Sequence, residues 1–180
     1  MIQNPPHPDR HPPHPDRHAF SVACAVLTIS DTRDRGSDRS GQSAQQLIRA
    51  AGHSVVAYDI VRDEPDQILA WFIQRGGDST EAIITSGGTG IAPRDTTYDV
   101  VERLLNPQIP GFGELFRQLS YQEIGSRAMV SRAIAGLYGT KLVFCLPGSC
   151  NAVNLALTAL ILPELRHLIT QLGDANPSTL

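Results

Sequence analysis

The stretch Ala82-Ile-Ile-Thr-Ser-Gly-Gly-Thr-Gly-Ile-Ala-Pro-Arg-Asp-Thr-Thr-Tyr-Asp99 decides the fold class. Its first residues are apolar or β-branched and predict a short buried strand over 82–85. Ser86-Gly-Gly-Thr-Gly90 leaves that strand, since paired glycines mark a turn. Thr96-x-x-Asp99 then has the spacing of a helix-capping box ahead of an apolar face of Val101, Leu104 and Leu105. A strand running through a glycine turn into a helix is a unit of α/β architecture.

The same alternation extends both ways. Residues 20–29 are apolar and β-prone and predict a buried strand, and the charged residues 32–40 predict an exposed loop. Ser40 or Ser43 is placed to cap a helix faced by Ala44, Leu47, Ile48 and Ala51 and ended by Gly52. Residues 55–61 predict the next strand. Pro65 opens a helix with Ile68, Leu69, Phe72 and Ile73 on its apolar side, stopped at Gly76-Gly77. Downstream, a helix is expected over about 113–123 and strands over 133–137 and 142–146. A long helix from about Ser149, faced by Val153, Leu157, Leu160, Leu165 and Leu168, should kink at Pro163. Strands alternating with helices imply an α/β fold whose mostly parallel sheet is covered on both faces.

The remainder frames one domain, residues 20–173, between two tails, 1–19 and 174–180. Pro-His-Pro-Asp-Arg-His occurs at 6–11 and again at 13–18. Proline at that density blocks helix and interior strand, and few apolar groups offset ordering entropy, so the N-terminal tail is expected to be disordered. A net charge of -3 argues against nucleic-acid binding. No uninterrupted apolar run reaches the roughly 18 residues of a membrane span, and no apolar leader opens the chain, so a cytoplasmic protein is expected. Cys24, Cys145 and Cys150 have no CxxC spacing. Cys24 and Cys145 sit in apolar runs, as buried inert thiols do.

In open α/β sheets ligands bind beyond the carboxyl ends of the strands. The loops expected there are Ser30-Asp31, Arg62-Asp63-Glu64, residues 86–95 and Pro147-Gly148-Ser149. The last two of these loops have the chemistry to hold phosphate. Ser86, Gly87, Gly88, Thr89 and Gly90 let backbone N–H groups approach an anion and form a nest. Neither a Walker A motif nor GxGxxG is present, and Lys141 is the only lysine in the chain. A phosphate must therefore be held by backbone amides, arginines or a metal. Arg94 is suited to gripping phosphate bidentately. Asp95 beside it would repel the ligand unless it held a cation, and magnesium is commonly held by one or two carboxylates plus substrate phosphates. Asp63 is the candidate second carboxylate. The plainer readings are that Asp95 stabilises a helix N-terminus and that Asp63 is a loop aspartate. Pro147-Gly148-Ser149 opens a helix and offers a second anion site, or simply an N-cap.

Taken in order, these motifs resemble the MoaB/MogA family, which includes the molybdopterin adenylyltransferases and the related domain of gephyrin. The resemblance covers about residues 22–172. It is carried by Thr28-Ile-Ser-Asp31, Thr85-Ser-Gly-Gly-Thr-Gly90, Arg94-Asp-Thr-Thr97, Pro110-Gly-Phe112, Ser131-Arg-Ala133 and Pro147-Gly-Ser149. Phe116-Arg-Gln-Leu-Ser120 and Glu123-Ile-Gly125 are more similar to the MoaB branch.

The resemblance implies a three-layer α/β/α sandwich, assembled as a homotrimer or homohexamer through Pro110-Gly-Phe112 and the segment to Gly125. It implies that the terminal phosphate of molybdopterin attacks the α-phosphate of ATP, releasing pyrophosphate with Mg2+ present. The product would pass to a downstream molybdenum-insertion protein. Asp63 and Asp95 take the family's catalytic aspartate positions. Ser30, Asp31, the glycine loop, Arg94 and Thr97 would handle phosphate and nucleotide, while Ser131, Arg132, Pro147, Gly148 and Ser149 would line the pterin side. A phosphate monoester has a second pKa near ~6, so the nucleophile needs no general base. Two positions depart from the adenylyltransferase pattern. Tyr98 stands where Arg-Asp-x-Thr is followed by proline, and the last turn reads Pro-Gly-Ser-Cys. They leave open a second reading, a non-catalytic protein that holds or delivers molybdopterin. A generic nucleotide-binding α/β domain is the third.

Overall fold

A computed structural model describes residues 20–174, so the expected tail over 1–19 and residues 175–180 lie outside the described part. The strands are β1 (Ala23–Ile29), β2 (Ser54–Val61), β3 (Ala82–Ser86), β4 (Ile134–Tyr138) and β5 (Lys141–Leu146). They form one sheet in the order β2-β1-β3-β5-β4. Four strands are parallel, and only β4 runs antiparallel, against β5. Gly139, at φ +60°, lets the chain reverse between those two strands.

Side-chain alternation along β1 shows why both faces are covered. Cys24 and Val26 enter one buried cluster, while Ala25, Leu27 and Ile29 enter the other. The helices α1 (Arg39–Ala50), α4 (Pro110–Ile124), α5 (Cys150–Ala156) and α6 (Leu162–Asp174) cover the first face. On the second face lie α2 (Pro65–Gly76) and α3 (Thr97–Leu104), through Ile68, Phe72 and Val101. The mixed α/β architecture expected from the sequence is thus present, in three layers.

Local signals differ from expectation where tertiary contacts intervene. Helix α1 is capped by Asp38, whose side chain accepts from the Gly41 amide, not by Ser40 or Ser43. The box at Thr96 does not form, because Thr96 Oγ1 donates to Asp63 across the sheet edge. Helix α4 begins earlier than expected, with Pro110 in its first turn. It is followed by a 3-10 turn over Gly125–Val130. The irregularity expected at Pro163 is a π-helical stretch, Leu157–Ile161, where the missing proline N–H breaks the regular ladder. The run Cys150–Gly173 has the length and mean hydropathy, 1.4, of a membrane span. Along it Val153, Leu157, Ile161 and Leu165 form a core-facing stripe and are fully buried.

Candidate active site

Because β1, β2, β3 and β5 are parallel, the loops after Ile29, Val61, Ser86 and Leu146 leave from one edge of the sheet. The antiparallel strand β4 begins at that same edge, which brings Ser131 and Arg132 there as well. A cleft of about 440 Å³ results, lined among others by Ser30, Arg33, residues 87–90, Asp95, Ser131, Pro147 and Gly148.

The floor of the cleft is backbone. Gly87 and Gly88 adopt φ +107° and +61°. A side chain at Gly87 would strike the Ile29 carbonyl, and one at Gly88 would strike Thr97 Oγ1 and Asp63. Gly148 approaches from the other side: its Cβ position lies 3.1 Å from Gly87 Cα. The Gly87 amide donates to Leu146 O at 3.1 Å and extends the sheet by one bond. Among the described residues, the next four amides, of Gly88, Thr89, Gly90 and Ile91, donate to no protein acceptor. Free amides on a glycine turn at a sheet edge are what an anion nest requires.

Charged groups frame this floor. Arg94 donates from Nε and Nη2 to the two oxygens of Asp31, both at 2.9 Å, and from Nη2 to Glu64 at 2.9 Å. The Arg94 guanidinium holds the Asp31 carboxyl below the usual carboxylate range and is itself raised by the two acids. Asp63 is buried, and its Oδ1 accepts from Thr96 N (3.1 Å), Thr96 Oγ1 (2.8 Å) and Thr97 Oγ1 (3.2 Å). Asp95 lines the cleft and takes only the Ala92 amide, on Oδ2 at 3.1 Å. Arg33 also lines it, donating to Ser40 Oγ at 2.6 Å and Gly148 O at 3.1 Å. Behind Arg33, the buried Asp38 accepts from Thr28 Oγ1, Tyr58 OH, Ser40 Oγ and the Gly41 amide. Burial alone would raise its pKa, but these donors hold it low.

Known proteins are similar to this chain in sequence and in fold. A family described as a probable molybdopterin binding domain matches residues 25–167. Molybdenum cofactor biosynthesis protein B of Halalkalibacterium halodurans is 49% identical over 154 residues, covering 84% of this chain and 91% of that protein. A crystal structure of a molybdenum cofactor biosynthesis protein B superposes with a TM-score of 0.84 at 47% identity, over 86% of this chain and 98% of that one. The tungsten cofactor synthesizing protein MoaB from Pyrococcus furiosus gives 0.78 at 32% identity, over 86% and 98%.

The chain belongs to the MoaB/MogA family of molybdenum cofactor biosynthesis proteins.

Against this family background the residues expected from the sequence separate into three groups. Ser30, Gly87, Gly88, Thr89, Gly90, Asp95, Ser131, Pro147 and Gly148 line one cleft. Ser149 caps α5, accepting from Ala152 N at 3.1 Å, and faces an adjoining cavity of about 140 Å³. The third group is engaged within the protein. Ser86 ends β3 and is buried. Thr97 is committed to Asp63, Asp31 is committed to Arg94, and Arg132 is committed to the glycine loop. Arg94, expected to grip phosphate, directs Nε and Nη2 to Asp31 and Glu64, and its Nη1 has no partner among the described residues. Asp63, expected as a second metal carboxylate, has one oxygen taken by three donors and works as a tie between β2 and the start of α3.

Arg33 and Asp38 were missed. Both lie in the charged stretch 32–40, which carries no periodicity to separate buried from solvated charges. The available signal was position: Arg33 follows Ser30-Asp31 off a strand, and Asp38 stands three residues before Gly41, an N-cap spacing. Thiols at Cys24 and Cys145 are pushed up to about 12 by burial, as inert cysteines should be.

For magnesium, the donor set is informative. Among the described residues no group of three or more His, Cys, Asp or Glu gathers as a cage. Asp95 alone presents a carboxylate with a free oxygen to the cleft. One carboxylate fits an ion held mostly by substrate phosphates, not a site built by protein alone.

Proposed function

We propose that this protein transfers AMP from ATP to the terminal phosphate of molybdopterin. The observation that carries the reading is the row of unpaired amides, Gly88, Thr89 and Gly90, on the floor of a cleft that Arg33 and Asp95 flank. In the step, an oxygen of the molybdopterin phosphate bonds to the α-phosphorus of ATP. The bond from that phosphorus to the bridging oxygen breaks, and pyrophosphate leaves with the electron pair. The nucleophile is ionised near neutral pH, so positioning and charge neutralisation supply the catalysis. The amides hold phosphate oxygens, Arg33 adds a cation, and Asp95 would hold magnesium. Magnesium, when bound, supplies charge neutralisation at the phosphates. Asp63 acts by fixing Thr96 and Thr97, and so the loop that carries Asp95. A protein that consumes ATP acts in the cytoplasm, and its product, adenylylated molybdopterin, passes to a metal-insertion protein.

The test is pyrophosphate release from ATP and molybdopterin with magnesium. Asp95→Ala should lower turnover roughly 10²–10³-fold, the usual scale for one charge-stabilising contact. Equal rates in the two proteins would refute the role of Asp95.

A second reading is favoured by one observation. Arg94 is closed on Asp31 and Glu64, which leaves the cleft fewer free cations than adenylyl transfer would use. On that reading the protein binds molybdopterin without turning over ATP. Molybdopterin binding with no pyrophosphate release at high enzyme concentration would establish it.

A further inference from the structure

The arginine that touches the glycine loop most closely does not line the cleft. Arg132, just before β4, donates from Nε to Thr89 O at 3.1 Å and from Nη2 to Gly90 O at 2.6 Å. Its Nη1 donates to Asp99 Oδ1 at 3.0 Å, and its guanidinium carbon lies 4.7 Å from the centroid of the Tyr98 ring. One planar cation is thus fixed along its edge and on its face. Two neighbours in sequence, Tyr98 and Asp99 on the first turn of α3, hold it from one side. Two successive carbonyls of the loop hold it from the other.

The consequence follows from peptide planarity. In a trans peptide the C=O and the following N–H point in opposite directions. Turning Thr89 O toward Arg132 therefore turns the Gly90 N–H away from it. Turning Gly90 O does the same to the Ile91 N–H. Thr89 and Gly90 line the cleft and Arg132 does not, so the Gly90 amide is turned off the side of the loop that Arg132 occupies. The same contacts draw two partly negative oxygens away from where an anion would lie.

We infer that Arg132, braced by Tyr98 and Asp99, is a positioning residue that sets the glycine loop as an anion nest without itself touching the ligand. The inference rests on reading residues 86–91 as a phosphate site. It also explains Tyr98, since a proline at that position could not supply the ring face on which Arg132 lies. Lysine cannot replace the arginine, because a point charge lacks the planar fork that reaches two carbonyls at once.

Inorganic pyrophosphate is the probe, added to the full chain and followed by calorimetry and by amide NMR. In the wild type it should bind and shift the Gly90 and Ile91 amide protons downfield. Arg132→Lys, which keeps the charge, should weaken binding about 10- to 100-fold, the scale of one or two bonds to a charged group. Arg132→Ala should bind as weakly and recover in part when millimolar guanidinium ion is added, which a variant that was merely misfolded would not do. Tyr98→Ala should lose several-fold, and Tyr98→Phe should restore the binding. Urea midpoints show which variants are folded, and if Arg132→Ala is not, the Tyr98 pair decides. Wild-type binding with Arg132→Lys within twofold, or Gly90 unmoved at saturation, overturns the clamp and leaves the phosphate reading standing. No pyrophosphate binding by the wild type overturns the phosphate reading, and the clamp with it.

Discussion

Gly88 is one of two heavily constrained positions on the glycine turn, with Gly87 beside it. Its φ of +61° disfavours a side chain, and the place a Cβ would occupy is already filled by Thr97 Oγ1 and an oxygen of Asp63. Those two groups are bonded to each other, so neither can retreat without breaking the tie between β2 and α3. Gly88→Ala should therefore cost about 2–4 kcal/mol of stability from left-handed strain and overpacking together. Urea unfolding checks this, and a loss below about 0.5 kcal/mol, the usual scatter of harmless substitutions, would show that the loop yields. Of the site residues visible in the sequence, the glycines were the most legible, since only backbone chemistry explains them. The engagement of Arg94 with Asp31 was not legible, because the two are separated by 63 positions and meet only when β1 and β3 pair.

At the scale of elements, the start of α1 shows how a helix end can organise a neighbouring site. Asp38 caps the helix, ties Thr28 of β1 to Tyr58 of β2, and stands 3.6 Å from Arg33 at the cleft. Removing its carboxylate leaves four donors and a cation without their acceptor. Asp38→Ala should destabilise by about 3–5 kcal/mol, as breaking a buried charged cluster does. The check is a lower urea midpoint with an unchanged slope. Asp38 also contributes to acid sensitivity. Its folded pKa is lowered, so its stabilisation is present above its unfolded value of about 3.9 and is lost as pH falls below that. His53, at the opposite sheet edge, acts in a higher window. It is buried, its Nδ1 accepts from Val22 N at 3.1 Å, and its pKa is lowered by burial and by Arg166. The unfolded chain then binds this proton more readily, so stability should fall as pH drops below about 6.5. Unfolding free energies measured between pH 7.5 and about 5 should show that slope, and His53→Gln should flatten it. An identical slope in the variant would assign it elsewhere.

At the scale of the whole molecule, the covered and uncovered faces indicate where copies would meet. The expected contact at Phe112 is not available, since that ring is buried against Phe116 and Phe144. Further along the same segment Tyr121 is 64% exposed and Met129 81% exposed, with Ile124 and Val130 beside them in sequence and also exposed. Isolated exposed apolar residues are ordinary, and a run of them at one helix end is a candidate contact surface. Assembly into a trimer or hexamer should use this surface, and Met129→Asp should shift sedimentation toward the monomer. A wild type that stays monomeric at micromolar concentration would refute the assembly.

The amino-acid sequence by itself determined the order of strands and helices, the edge of the sheet at which the candidate site lies, and the glycine turn proposed to bind through its backbone. Apolar periodicity and turn chemistry are local properties, and a parallel sheet has only one carboxyl edge. Tertiary structure alone decided which charges line the cleft. Asp63, Arg94 and Arg132 all read as ligand-facing groups in the chain. In the fold each is turned onto a protein partner at least 33 residues away, while Asp95 and Arg33 are left facing the cleft. The reason is physical: a charge near a partly buried edge is stabilised by whichever opposite group the sheet brings within about 3 Å, and linear spacing does not encode that meeting.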